Sequence, residues 1–218
     1  MKNGVYSNRI YEMIKSFPVG EPFTNRVVSE SLRKDFDITK DNAERVTNNQ
    51  LKRMYDAGKI GRIEKGVYYV PKQTIFGQTK PDYNSYAVNI LTKSKDDVIG
   101  YECGASFFNR IGLSTLVPQK IEVATNHYRK KLPKSCHITI RKPRDVVTGE
   151  NFQYLQILDA IHDLNKFHID SENPNGVLKA VVAKNKLNEK KLMELAKNRY
   201  PRRVLIDVVE IITGGDTK

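Results

Sequence analysis

A chain of 218 residues, 39% of them hydrophobic, is long enough for one large or two modest domains, and none of its apolar runs approaches membrane-spanning length. Its two cysteines, Cys103 and Cys136, exclude a disulfide framework and a cysteine-based zinc site. The net charge of +12, of which +6 falls within residues 1–80, favours a polyanionic partner without separating DNA, RNA and anionic lipid.

The start, MKNGVYSNRIYEM, turns polar within a few residues, so no signal peptide is expected and the protein is expected to be cytoplasmic. Tyr6, Ile10, Met13, Ile14 and Phe17 repeat at helical spacing and predict a first helix, stopped by Pro18-Val19-Gly20. Phe23 is expected to pack back onto it. Thr24 caps a second helix with Val27, Val28, Ser31 and Leu32 facing inward. Residues 35–40 form a link, with Phe36 and Ile38 tucked into the core.

Asp41 and Glu44 have capping-box spacing and start a third helix. Ala43, Val46, Thr47, Gln50, Met54 and Ala57 share one side, with Leu51 at its margin. Arg45, Asn48, Asn49 and Lys52 share the other. Gly58 ends the helix in the left-handed conformation. Ile60 to Ile63 and Val67 to Val70 are short β-prone runs around the turn Glu64-Lys65-Gly66. Three helices followed at once by a hairpin predict a winged helix-turn-helix domain over residues 1–72.

Residues 73–83, rich in Gly, Pro and polar side chains, are expected to be a linker. A helix at about 84–91, with Tyr86 or Ala87, Ile90 and Leu91 on its apolar side, is expected next. Asp96-Asp97 breaks it before a short strand at Val98-Ile99. Ala105, Phe107, Phe108, Ile111 and Leu113 suggest a buried helix ended at Gly112. Lys120 to Thr125 and Ser135 to Arg141 alternate as half-buried strands and are expected to form an antiparallel pair around the basic tip NHYRKKLPK. The remainder is helical: one face carries Phe152, Leu155, Leu158, Ile161 and His162, a turn follows at Asn173-Pro174-Asn175-Gly176, and two helices come next. Val204, Leu205, Val208, Val209 and Ile212 mark the last helix. The predicted class is therefore α+β: an N-terminal winged helix-turn-helix domain, then a mixed α/β domain over 84–218 with a helical C-terminal part.

Recognition of duplex DNA needs donors for base edges and cations for phosphates. Arginine suits guanine and asparagine suits adenine. Arg45, Asn48 and Asn49 are the candidate base readers. Thr24, Asn25, Arg26, Lys52, Arg53, Arg62 and Lys65 are candidate phosphate contacts, the first three helped by free amides at a helix start. Tyr128, Arg129, Lys130, Lys131, Lys134, Arg141, Lys142 and Arg144 form a second basic surface, in which Tyr128 could stack on a base. An ordinary solvated polar face and a solvated basic loop are the bland readings of the same residues.

The stretch AGKIGRIEKGVYYVPK, with Arg62, Gly66 and Tyr68, resembles the wing of the AbiEi-like transcriptional-regulator antitoxins of type IV toxin–antitoxin systems. GYECGASFFNRIGLSTLVPQKIEVATN, residues 100–126, resembles a second segment of that family, through Gly104-Ala105-Ser106, Gly112-Leu113-Ser114-Thr115, Pro118 and Ala124-Thr125-Asn126. With Pro71 to Gly77 the resemblance covers residues 5 to 150. It implies a repressor of its own operon that binds promoter inverted repeats, a weak homodimer being formed on DNA. It also implies an antitoxin role in abortive phage infection, against a nucleotidyltransferase-like toxin and without a stable complex. By the same resemblance Arg45, Asn48, Asn49, Lys52 and Arg62 are the DNA contacts, supported by the basic residues of 127–144.

Two other functions stay open. The helical part could be a protein-interaction module on a winged-helix scaffold, or Asp96, Asp97 and Glu102 could belong to a cryptic metal-dependent nuclease. Neither has a motif behind it. His127, His137, His162 and His168 lack ligand spacing, and no glycine-rich phosphate loop is present. No enzymatic activity, cofactor, metal or membrane association is expected.

Overall fold

The computed structural model describes residues 2–75, 77–94, 97–132 and 135–214. The fold is α+β, as the sequence predicts, with N-terminal helices, a mixed α/β core and a helical C-terminal region. The chain divides into two compact units, Met1–Tyr86 and Ala87–Lys218.

In the first unit, helix α1 (Lys2–Ser16) precedes a short strand, β1 (Pro22–Thr24), then α2 (Asn25–Phe36) and α3 (Lys40–Asp56). Thr24 caps α2 by accepting from the Val27 amide. The cap of α3 differs from expectation. Thr39, not Asp41, accepts from the Asn42 amide, because Asp37 turns left-handed (φ 46°) and lets the helix begin earlier. The buried stripe of α3 is Ala43, Thr47, Leu51 and Met54, so Leu51 sits at the centre of the core and Ala57 is exposed. Periodicity gives a stripe's spacing; contact with both α1 and α2 sets where its centre lies. Val27 is likewise exposed, with Val28, Ser29 and Leu32 buried in its place.

Gly58 closes α3 with φ 67°, and the Lys59 amide reaches back to the Met54 carbonyl. Strands β2 (Gly61–Glu64) and β3 (Val67–Tyr69) form the expected hairpin, with β3 in the middle of an antiparallel sheet of order β1-β3-β2. The β1 strand was not foreseen, since three residues containing a proline carry no readable alternation. Phe23 does pack inward, stacking on Phe17 at 4.6 Å. The expected linker carries a small ladder, β4 (Gln73–Thr74) against β5 (Gly77–Gln78), and Gln78 donates to the Gly58 carbonyl.

Thr47 is fully buried and its hydroxyl finds no hydrogen-bond partner among the described residues. A buried hydroxyl without a partner costs about 1–3 kcal/mol. Thr47→Val keeps the shape and removes that cost, so it is expected to raise stability by roughly 1 kcal/mol in urea unfolding.

Helix α4 (Tyr83–Thr92) crosses the unit boundary and is followed by the two-residue strands β6 (Lys93–Ser94) and β7 (Asp97–Val98). The main sheet of the second unit comprises β8 (Gly100–Cys103), β9 (Ile121–Thr125) and β10 (Ile138–Arg141), in the order β10-β9-β8, with helix α5 (Gly104–Ile111) between β8 and β9 in sequence. The pair β9–β10, expected to be antiparallel, is parallel: Ile138 lies opposite Ile121 and Arg141 opposite Ala124. Residues 126–137 are long enough for a crossover, and β8 takes the antiparallel place on the other edge of β9. At Gly100 an added Cβ would lie 2.3 Å from the Leu91 carbonyl oxygen and 2.7 Å from that of Ala124, so glycine is required for the close approach.

Helix α6 (Phe152–Asp163) covers β8, and α7 (Pro174–Lys184), α8 (Glu189–Arg199) and α9 (Arg202–Thr213) pack with it into the second core. The expected turn at 173–176 is instead the start of α7. Asn173 caps it, and Pro174 takes the first-turn position where its missing N–H costs nothing. On α9 the buried face is Val204, Val208 and Ile211, while Val209 is exposed. Among the described residues no helix is long and apolar enough to cross a membrane.

Candidate functional site

The exposed side of α3 is bordered by two concavities. One, of about 540 Å³, lies between α3 and the β2–β3 hairpin; Asn25, Asn48, Lys52, Arg62, Lys65 and Gly66 line it, with Tyr55, Asp56 and Tyr68. The other, of about 260 Å³, is lined by Arg45, Asn49 and Arg53 with Ser7, Val46 and Gln50. The residues grouped from sequence on one helix face are thus divided. Asn48 and Lys52 face the hairpin side, and Arg45, Asn49 and Arg53 the other. Tyr55, Asp56 and Tyr68 were not foreseen. Tyr55 lies one turn beyond Lys52, a spacing that could have found it.

Local bonds fix several of these side chains. The Asn25 amide donates to the Gly66 carbonyl at 2.9 Å, and Asn25 Nδ2 donates to Asn48 Oδ1 at 2.8 Å. The start of α2, the middle of α3 and the tip of the hairpin are therefore joined through one residue. Gly66 is left-handed (φ 83°), and a Cβ there would come within 3.1 Å of Asn25 Oδ1. Arg62 Nε donates to the Glu64 carbonyl, and Arg45 Nη2 donates to Asn42 Oδ1.

The start of α2 is less free than its sequence suggests. Thr24 is occupied as a cap, and the Asn25 and Val27 amides both have partners. Arg26 pairs with Glu30 at 2.7 Å on an exposed surface. Such a pair contributes little to stability, but it holds the guanidinium along α2.

The second basic surface is also divided. Arg129, Lys130, Lys131 and Lys142 are exposed, and the Arg129 and Lys142 cations each lie 5.5 Å from the centre of the Tyr128 ring. Lys134 lies outside the described residues, as does Asp96. Arg141 and Arg144 are both engaged by a polar cluster of the second unit, Arg141 half-buried and Arg144 exposed. Arg141 pairs with Asp163 at 2.8 Å and Glu122 at 3.4 Å. Arg144 lies 3.7 Å from Asp159 and covers the Tyr200 ring.

That cluster was not legible in the sequence. Asp159 and Asp163 are both buried on α6. Asp159 accepts from the hydroxyls of Tyr101 and Tyr200 at 2.8 and 2.9 Å. Burial pushes its carboxyl above the usual carboxylate range, against the pull of those two hydroxyls. Burial also works against ionising Asp163, but hydrogen bonds from Lys166, His162 and Arg141 prevail and hold it at about 2. The buried Cys103 thiol is pushed up to about 12 by burial, so it is no reactive thiolate at neutral pH. Chemically, the cluster ties β8, β9 and β10 to α6 and, through Tyr200, to the end of α8. Of the acids considered for a nuclease, Glu102 pairs with Arg110 and Asp97 is exposed on β7.

Residues 10–190, well over half the chain, match a family of unknown function, DUF6088. The chain belongs to this family. The DUF6088 match takes in α2, α3 and the hairpin as well as the sheet of the second unit, and ends at the start of α8; α9 lies beyond it. No curated protein matches the chain.

Proposed function

We propose that the first unit is a winged helix-turn-helix that binds duplex DNA, with α3 as the recognition helix and the β2–β3 hairpin as the wing. The observation that carries this reading is the groove between them, where an asparagine pair sits beside Lys52, Arg62 and Lys65. An exposed helix face with amide donors, next to a cationic hairpin, suits base edges in a major groove and the flanking phosphates. Asn48 reads from the hairpin side, where Lys52 holds phosphate, Arg45 and Asn49 read from the opposite side, and Arg53 completes the second hollow. The basic residues Arg129, Lys130, Lys131 and Lys142 are a supporting phosphate surface.

By the resemblance to AbiEi-like regulators, the protein represses its own operon and acts as the antitoxin of a type IV system. Its toxin would be a nucleotidyltransferase-like protein encoded beside it. The operon arrangement is testable by whether expression of that neighbour alone arrests growth and co-expression relieves the arrest.

Mobility shifts on the DNA upstream of the protein's own gene test the binding. Arg45→Ala combined with Asn48→Ala is expected to bring specific and random duplex to equal affinity, a loss of roughly 2–4 kcal/mol of discrimination if each side chain reads one base. Unchanged discrimination in that variant would remove α3 from the role of reader.

A further inference from the structure

The Asn25–Asn48 bond restricts what Asn48 can recognise. An unrestrained asparagine presents both a donor and an acceptor and pairs with adenine through N6 and N7 together. Here Asn48 Oδ1 is turned toward Asn25 Nδ2 at 2.8 Å. No group among the described residues takes up the Asn48 Nδ2 hydrogens, and Asn48 lines the groove. Asn25 lies against the hairpin tip. Its backbone amide is bound to the Gly66 carbonyl, and its Oδ1 is the side-chain atom nearest to where a Gly66 Cβ would stand, at 3.1 Å against 3.7 Å for Nδ2. With Oδ1 on the Gly66 side, Nδ2 is left for Asn48.

We infer that Asn25 is a positioning residue that makes Asn48 a one-sided reader, a donor that selects a base edge bearing acceptors, foremost guanine, over adenine. This rests on the duplex reading above. The two amide hydrogens suit the paired O6 and N7 acceptors of guanine. Adenine offers one acceptor beside an N6 amine that would face a second donor, and the cytosine N4 amine offers none. The hairpin tip thereby takes part in base selection, since Gly66 orients Asn25 and Asn25 orients Asn48.

Substituting Asn25 reverses the restraint in a predictable direction. Aspartate has only acceptors, so in Asn25→Asp the Asn48 carboxamide turns over to donate to it and presents Oδ1 to the groove. The selected edge then becomes a donor, adenine N6 or cytosine N4. Aspartate at the first turn of α2 suits the helix dipole, so the fold is retained, which thermal unfolding checks. Asn25→Ala frees Asn48 to use both groups.

The experiment is selection from a randomised duplex pool by the full chain, with Asn48→Ala marking the base position that Asn48 reads. At that position the wild type is expected to favour guanine over adenine by roughly five- to tenfold, the size of one lost hydrogen bond. Asn25→Asp should shift the position to adenine or cytosine, and Asn25→Ala should move it from guanine toward adenine, the rest of the site staying unchanged. A wild type that selects adenine there, an aspartate variant that leaves the position unaltered, or an Asn48→Ala variant that relaxes no position overturns the inference while leaving duplex binding intact. A wild type that enriches no duplex overturns the duplex reading itself, and the inference with it.

Discussion

Replacing Lys52, Arg62 and Lys65 together by alanine is expected to abolish most of the affinity for duplex DNA, specific and random alike. Each cation that neutralises one phosphate contributes about 0.9 to the slope of log affinity against log salt, so the triple variant should lose about 2.7 from that slope. Carried from 1 M salt, that difference corresponds to roughly a three-thousandfold loss at 50 mM and about 170-fold at 0.15 M. All three side chains line the groove beside α3, and Lys52 and Lys65 are exposed with Arg62. Fluorescence anisotropy over a salt series reads both quantities at once. The Arg45 and Asn48 variant differs in kind, because it removes base contacts and at most one phosphate charge. Its salt slope should stay close to that of the wild type. A triple variant with an undiminished slope would take the hairpin out of the interface.

Asp163→Asn is expected to destabilise the second unit by roughly 3–5 kcal/mol, because it removes one member of a buried ion pair and leaves the others uncompensated. Asp163 is 1% exposed and is held by Arg141, Lys166 and His162 at 2.6 to 2.8 Å. Glu122, at 3.4 Å from Arg141, is too distant and too exposed to replace it. The effect has a definite pH dependence. The folded carboxyl titrates at about 2, below its ordinary value of 3.8, so its stabilisation is complete above about pH 4 and disappears as the pH falls through 2. That shift corresponds to about 2–3 kcal/mol of pH-dependent stability. Asp159 works in the opposite sense. Raised by burial, it favours the fold while protonated and costs stability as the pH rises through its folded value. The wild-type curve therefore mixes both groups, and the difference between wild type and Asp163→Asn in urea unfolding at pH 2, 4 and 7 isolates Asp163. A difference that does not shrink toward pH 2 would show that the cluster does not act through this carboxylate.

Local signals carried much of the first unit. The apolar repeat of α1, the cap at Thr24, the glycine stop at Gly58 and the β-prone runs around Glu64-Lys65-Gly66 each depend on a few neighbouring residues, and each is present in the fold. The exposed row of Arg45, Asn48, Asn49, Lys52 and Arg53 was legible for the same reason, since helical spacing is a local property. Its division between two concavities was not, because that depends on what stands on either side of α3. Strand pairing failed for a similar reason. Alternation in residues 120–125 and 135–141 shows two half-buried strands but not their relative direction, which the crossover and the partner β8 determine.

Composition and spacing alone determined a basic chain of α+β class with a polar third helix and a hairpin after it, because charge, periodicity and turn chemistry are written within a few residues of one another. Contacts between distant residues decided the rest. Asn25 meets Asn48 across 23 positions, and Arg141 meets Asp163 across 22. These contacts turned one expected phosphate contact toward a neighbouring side chain and another basic residue inward to a buried carboxylate. No local pattern encodes such a meeting, since it exists only once the chain between the two residues has folded.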